Sequence, residues 1–136
     1  MSIAENTTDA FRVDTEWHDE AAVLTVVGEL DLATAPILQD AVDAVRTTAS
    51  SALVIDLTGV DFLASAGMTV LVTSHQAVGE NVAFAVVARG AATARPLQLV
   101  GLDETFPVLD TREAALAVVR SSGSRANDPA RAVLPV

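Results

Sequence analysis

The stretch covering residues 52–72, ALVIDLTGVDFLASAGMTVLV, changes its period twice. Its first six residues form a continuous apolar run with β-branched side chains, the pattern of a central strand buried on both faces. The next five, TGVDF, read as a loop. From Ser65 onward Met68, Leu71, Val72 and His75 fall at helical spacing, and Gly79 ends that helix as a C′ residue. A strand hands over to a helix at Ala64-Ser65-Ala66-Gly67, with one serine between small residues.

The same alternation continues in both directions. Upstream, FRVDTEW places Phe11, Val13, Thr15 and Trp17 on one face of a half-buried strand, HDEA supplies a turn, and AVLTVVGEL forms a second, more buried strand. Trp17, the single tryptophan, is expected in the core or on the hairpin face. After GELD, residues 28–31, a helix is expected with Thr34 as cap, Pro36 near its first position and an apolar stripe of Ile37, Leu38, Ala41, Val42 and Val45.

Downstream, NVAFAVVA is a buried strand, and AATARPLQLVG a short helix interrupted by Pro96 and stopped by Gly101. FPVLD is an edge strand, because Pro107 cannot donate to a ladder. TREAALAVVR is a last helix with Thr111 and Glu113 near its start. The expected fold is α/β: one domain over residues 11–120, a mixed central β-sheet with helices packed on it. Residues 1–10 read as a flexible N-terminus and 121–136 as a disordered tail.

Composition removes whole classes of chemistry. The chain has 136 residues, 51% of them hydrophobic, and a net charge of -10 with eight arginines, no lysine and no cysteine. Such a surface repels nucleic-acid backbones and anionic membranes. Without cysteine there is no disulfide framework or thiolate metal site. Without lysine there is no P-loop and no Schiff base. No secretory signal and no bilayer-length apolar run is visible, so the expected location is the cytoplasm. No cofactor and no metal are expected, and no pair of residues offers a nucleophile with its base, so an enzyme is not expected.

Ser65 has two readings. Its hydroxyl caps the helix by accepting a backbone N–H, or it is modified. Its small neighbours leave the hydroxyl open to another protein's active site, and a phosphate there would sit at a helix N-terminus that favours an anion. Asp31 and Asp56 both fall at C-terminal ends of expected strands, where sites on open α/β sheets gather. Asp56 lacks the lysine and acidic cluster of a phospho-accepting aspartate, so it reads as a strand terminus or loop anchor. His75, in line with the apolar helix face, reads as partly buried packing. Arg89 and Arg95 read as a solvated helix start.

Two segments together, VVGELDLATAPILQDAV and ALVIDLTGVDFLASAGMTVLV, resemble the STAS domain of bacterial anti-sigma factor antagonists, and the resemblance runs from about Phe11 to Arg120. It implies a protein that binds an anti-sigma factor of the GHKL serine-kinase type, freeing a sigma factor in a partner-switching stress response. It implies phosphorylation of Ser65 as the event that ends binding, a phosphatase that reverses it, and a partner-binding surface of Asp31, Ser65, Ala66, Gly67, Met68 and Thr69. The family pattern is Asp-Ser-Ser/Thr-Gly. Here Ala64 and Ala66 replace the aspartate and the second hydroxyl, leaving Ser65 as the one acceptor in the motif. The alternative in the same family is an unphosphorylated STAS subunit docked on the ATPase of a membrane transport complex. A small-ligand or nucleotide sensor is a third possibility.

Overall fold

The chain opens with an antiparallel hairpin. β1 (Arg12–His18) and β2 (Ala21–Leu30) are joined through Asp19 and Glu20, with Asp19 at φ 57°. Then follow α1 (Ala35–Arg46), β3 (Ala52–Leu63), α2 (Ser65–Val78), β4 (Ala83–Val87), α3 (Ala94–Leu99), a 3-10 turn (Leu102–Glu104), β5 (Val108–Leu109) and α4 (Arg112–Ala126). The structure, a computed structural model, describes residues 11–49 and 51–126, with the backbone alone for 122–126. The expected N-terminal tail lies outside the described residues.

The strands lie side by side in chain order, β1 to β5, antiparallel for the first pair and parallel for the rest. Successive crossovers of one hand in such a sheet leave their helices on the same face. Leu38 and Val42 of α1, Leu71 of α2 and Leu97 of α3 accordingly pack on one face with Leu24, Leu53, Ile55, Phe84 and Val86. The alternate residues, Val23, Val54, Ala85 and Val87, face Ala115, Leu116 and Val119 of α4. Both sides of the central strands are therefore dry, which is why their sequences are apolar without alternation.

Three expectations need correction, and the two-way expectation for Trp17 is decided. TGVDF is not a loop: β3 continues through it to Leu63, pairing with residues 27–30 of β2 across two register shifts. Burial of Val60 and Leu63 and the ladder to β2 outweigh the turn-forming composition. Gly28, at φ 113°, allows β2 to bend at these bulges, where a side chain would be strained. Trp17 is a hairpin-face residue and not core. It shares the face of Phe11 and Val13, opposite Ala22, but on an edge strand it stays 44% exposed. Pro96 does not interrupt α3. It is the third residue of the helix, where its missing N–H has no intrahelical partner anyway. Finally, the last helix runs on to Ala126, so residues 121–126 are not tail, and the rest of that segment lies outside the described residues.

β3 and β4 stay paired only as far as Asp56 and Val87. The longer β2–β3 ribbon outreaches the other strands and carries the GELD turn and the start of α2 at its tip.

Candidate functional site

The ribbon ends where Leu30 stands opposite Leu63, and the N–H of Ala64 donates to the carbonyl of Leu30 at 2.9 Å. α2 starts on the next residue. Its close approach depends on Gly67, where a Cβ would come within 2.5 Å of Leu30 Cγ and 3.0 Å of Leu63 Cδ1. Gly67→Ala should therefore lose about 1–2 kcal/mol in a urea titration, the overpacking cost outweighing the better helix propensity of alanine.

Across the junction the turn at residues 31–34, which follows β2, is locked by its own hydrogen bonds. Asp31 Oδ1 accepts from the N–H groups of Ala33 (3.0 Å) and Thr34 (3.1 Å). Thr34 Oγ1 accepts from the Asp31 N–H at 2.9 Å and donates to the Glu29 carbonyl at 2.7 Å. This is a reciprocal capping box with Asp31, not Thr34, as the residue whose side chain caps the entry to α1. Thr34 makes no cap bond of its own to α1.

Ser65 is the first residue of α2, and the preceding Ala64 occupies the cap position in an extended conformation, without a side-chain cap bond. The capping reading of Ser65 thus fails for a geometric reason. A hydroxyl inside the helix cannot reach back to the first-turn N–H groups as a cap residue does. Among the described residues the Ser65 hydroxyl has no hydrogen-bond partner, and the side chain is exposed. The first turn of α2 holds no acidic residue, so the positive end of the helix dipole is uncompensated there. Thr69, exposed one turn on, donates its hydroxyl to the Ser65 carbonyl at 3.1 Å.

The six residues expected to bind a partner thus share one end of the fold but differ in reach. Ser65 and Thr69 are exposed, Asp31, Ala66 and Met68 half-buried, and Gly67 buried. Two neighbours missed by sequence reasoning are Leu32 in the turn and Phe62 on β3, 81% and 52% exposed. The available signal was a large apolar residue inside each of two otherwise turn-like segments.

Asp56 lies inside β3 and not at its end, and is only 4% exposed. Its Oδ1 accepts from the N–H and hydroxyl of Thr58, and its Oδ2 from Nε and Nη2 of Arg112 at 3.2 and 3.0 Å. Arg112 also donates to Thr25 Oγ1 and to Glu16, joining β1, β2, β3 and α4. Burial opposes the charge of Arg112, but hydrogen bonding and Coulomb attraction from Asp56, and then Glu16, outweigh it and raise its pKa. His75 packs against Phe84 and Phe106, with ring centroids 5.3 and 5.9 Å away, as the packing reading expected. Arg89 and Arg95 are exposed. Among the described residues no cluster of three or more His, Asp or Glu could hold a metal, and no helix is long and apolar enough to cross a membrane.

A rigid junction presenting a free hydroxyl at a helix start suits a docking module. Comparison with known proteins gives the family. A sequence model of the STAS domain matches residues 12–115. The chain therefore belongs to the STAS-domain family of anti-sigma factor antagonists. It is 44% identical over 112 residues to the anti-sigma-F factor antagonist RsfB of Mycobacterium tuberculosis, covering 82% of this chain and 92% of that one. The crystal structure of an anti-sigma factor antagonist from Mycobacterium paratuberculosis superposes with a TM-score of 0.79 at 45% identity, over 84% of this chain and 97% of the other. The fold also matches the Bacillus cell fate determinant SpoIIAA in its phosphorylated form, with a TM-score of 0.56 at 19% identity over 82% of this chain and 100% of that one.

Proposed function

We propose that this protein is an anti-sigma factor antagonist that works by docking and is switched by phosphorylation of Ser65. The observation that carries the reading is the exposed, unpartnered Ser65 hydroxyl at the start of α2, in a chain 44% identical to a protein named for antagonism of an anti-sigma factor. In the unmodified state Asp31, Ser65, Ala66, Met68 and Thr69 contribute to the surface that engages a cytoplasmic anti-sigma factor of the GHKL serine-kinase type. Gly67 contributes by letting α2 lie against Leu30. Engagement releases the sigma factor.

Transfer is attack of the Ser65 oxygen on the γ-phosphorus of ATP. A P–O bond forms as the bond to ADP breaks, and the hydroxyl proton passes to a base of the kinase. The product adds a charge of about -1.5 to -2 at a helix N-terminus, which the fold tolerates and a dry contact does not. A phosphatase restores the hydroxyl.

The test is mass spectrometry of the intact protein after incubation with ATP and each purified GHKL-type anti-sigma factor of its host. One added phosphate on the wild type and none on Ser65→Ala is the expected result. An unmodified wild type with every kinase would remove the switch. Co-purification with a transporter ATPase instead would favour the transport-subunit reading.

A further inference from the structure

We infer that Leu32 and Phe62 are the apolar anchors of the docking surface, and that the partner is an anti-sigma factor meeting them with an apolar socket whose rim is basic. This rests on the reading that the Ser65 end of the sheet is the contact. Both residues belong to segments that meet at the junction that positions Ser65. Leu32 is two residues beyond Leu30, whose carbonyl holds the Ala64 N–H, and Phe62 stands opposite Glu29, one residue before the Leu30–Leu63 pair.

Phe62 and its ladder partner Glu29 alternate with the buried Leu63 and Leu30 and so face the other side of the ribbon, where both are exposed, and the Leu32 turn is tied down by Asp31 and Thr34. An apolar side chain held out by a saturated turn loses little freedom on binding, so most of its burial energy reaches the affinity. Among the described residues the other exposed large apolar side chains lie elsewhere: Trp17 opposite Ala22 at the start of β2, and Leu99 and Val100 at the end of α3.

Charge complementarity names the partner's chemistry. Glu29 and Asp61 are exposed on the same ribbon, with Asp31 half-buried beside Leu32. Arg12, opposite Val27 on β1, is paired with Asp14, and beyond it no lysine or arginine occurs in residues 13–45 or 47–88. The arginines that follow, Arg89 and Arg95, belong to the end of β4 and to α3. A socket facing Leu32 and Phe62 is thus bordered by carboxylates on the β2–β3 side, and basic residues there would speed encounter more than they would tighten the complex. Rim and switch act differently, since the rim carboxylates keep their water while a phosphate enclosed in the contact would lose it.

The experiment is surface plasmon resonance with purified, immobilised anti-sigma factors of the host, using one that binds the unmodified wild type. Leu32→Ala and Phe62→Ala should each weaken binding at least thirty-fold, mainly through faster dissociation. Leu32→Gln, which keeps the length but not the apolarity, should do the same, and Leu99→Ala should stay within two-fold. The double variant Glu29→Gln/Asp61→Asn should slow association several-fold at low salt with dissociation unchanged. Circular dichroism of each variant should match the wild type, because these side chains are exposed. If the wild type binds and Leu32→Ala and Phe62→Ala bind within three-fold of it, or Leu99→Ala falls equally, the anchors are refuted while the antagonist reading stands. If the wild type binds no anti-sigma factor, both go.

Discussion

Arg112→Ala should destabilise the fold by about 3–5 kcal/mol, a large part of the roughly 5–15 kcal/mol available to a domain of this size. Removing the guanidinium strips Asp56 Oδ2 of both Arg112 bonds while the carboxylate, 4% exposed, stays buried. The cost is that of an uncompensated buried charge, not the worth of the pair. The Glu16 contact adds little, because Glu16 is more than half exposed and an exposed pair contributes about 1 kcal/mol or less. Arg112 opens α4, where a cation opposes the helix dipole, so its place there is set by Asp56 and not by local preference. Urea denaturation of Arg112→Ala, Asp56→Ala and the double variant decides the matter. The double variant should lose clearly less than the sum of the singles, and strict additivity would show the pair to be uncoupled. Since the Arg112 pKa is raised in the fold, its contribution is complete below the ordinary arginine value and is lost only as pH rises through the higher folded value. It is constant across the physiological range.

Ser65→Glu should lower affinity for the anti-sigma factor at least about thirty-fold, while Ser65→Ala stays within a few-fold. An unpaired charge brought into a contact costs about 2–5 kcal/mol, which spans roughly thirty-fold to several thousand-fold in Kd. The fold itself should register almost nothing. Ser65 is exposed and its hydroxyl holds no cap bond, so both variants should stay within about 1 kcal/mol of the wild type in stability. A negative charge in the first turn of α2 is, if anything, mildly favourable to the helix, by about 0.3–1 kcal/mol. Isothermal titration calorimetry and thermal melts on the same samples separate the two effects. Equal affinity for wild type and Ser65→Glu would remove Ser65 from the contact, whatever its phosphorylation state.

The candidate site was legible only in part, and the reason differs from residue to residue. Ser65 at a helix start is visible because a strand period yields to a helix period within four residues, and both periods are local. Asp31 is visible as a turn residue, but its identity as the cap in place of Thr34 depends on which of two oxygens reaches which N–H. The roles of Gly67 and Leu30 were hidden, since a close approach between two elements leaves no mark in either segment. Leu32 and Phe62 were hidden for a related reason: exposure is a property of what fails to cover a side chain.

What residues 11–126 determine without their folded context is the succession of elements. Runs such as ALVIDL and AFAVV can satisfy two dry faces only as inner strands, and the stripe from Ile37 to Val45 only as a helix laid on them. Gly79 and Gly101, at φ 74° and 82°, end their helices where a side chain would be strained, and that too is written locally. Tertiary structure alone decided that β3 bulges on to Leu63, that a buried Asp56 pairs with a half-buried Arg112 from 56 residues away, and that Leu32 and Phe62 remain uncovered at the tip of the β2–β3 ribbon. In each case the deciding free energy comes from a partner distant in the chain, a β2 ladder, a guanidinium or its absence, and no local pattern carries that information.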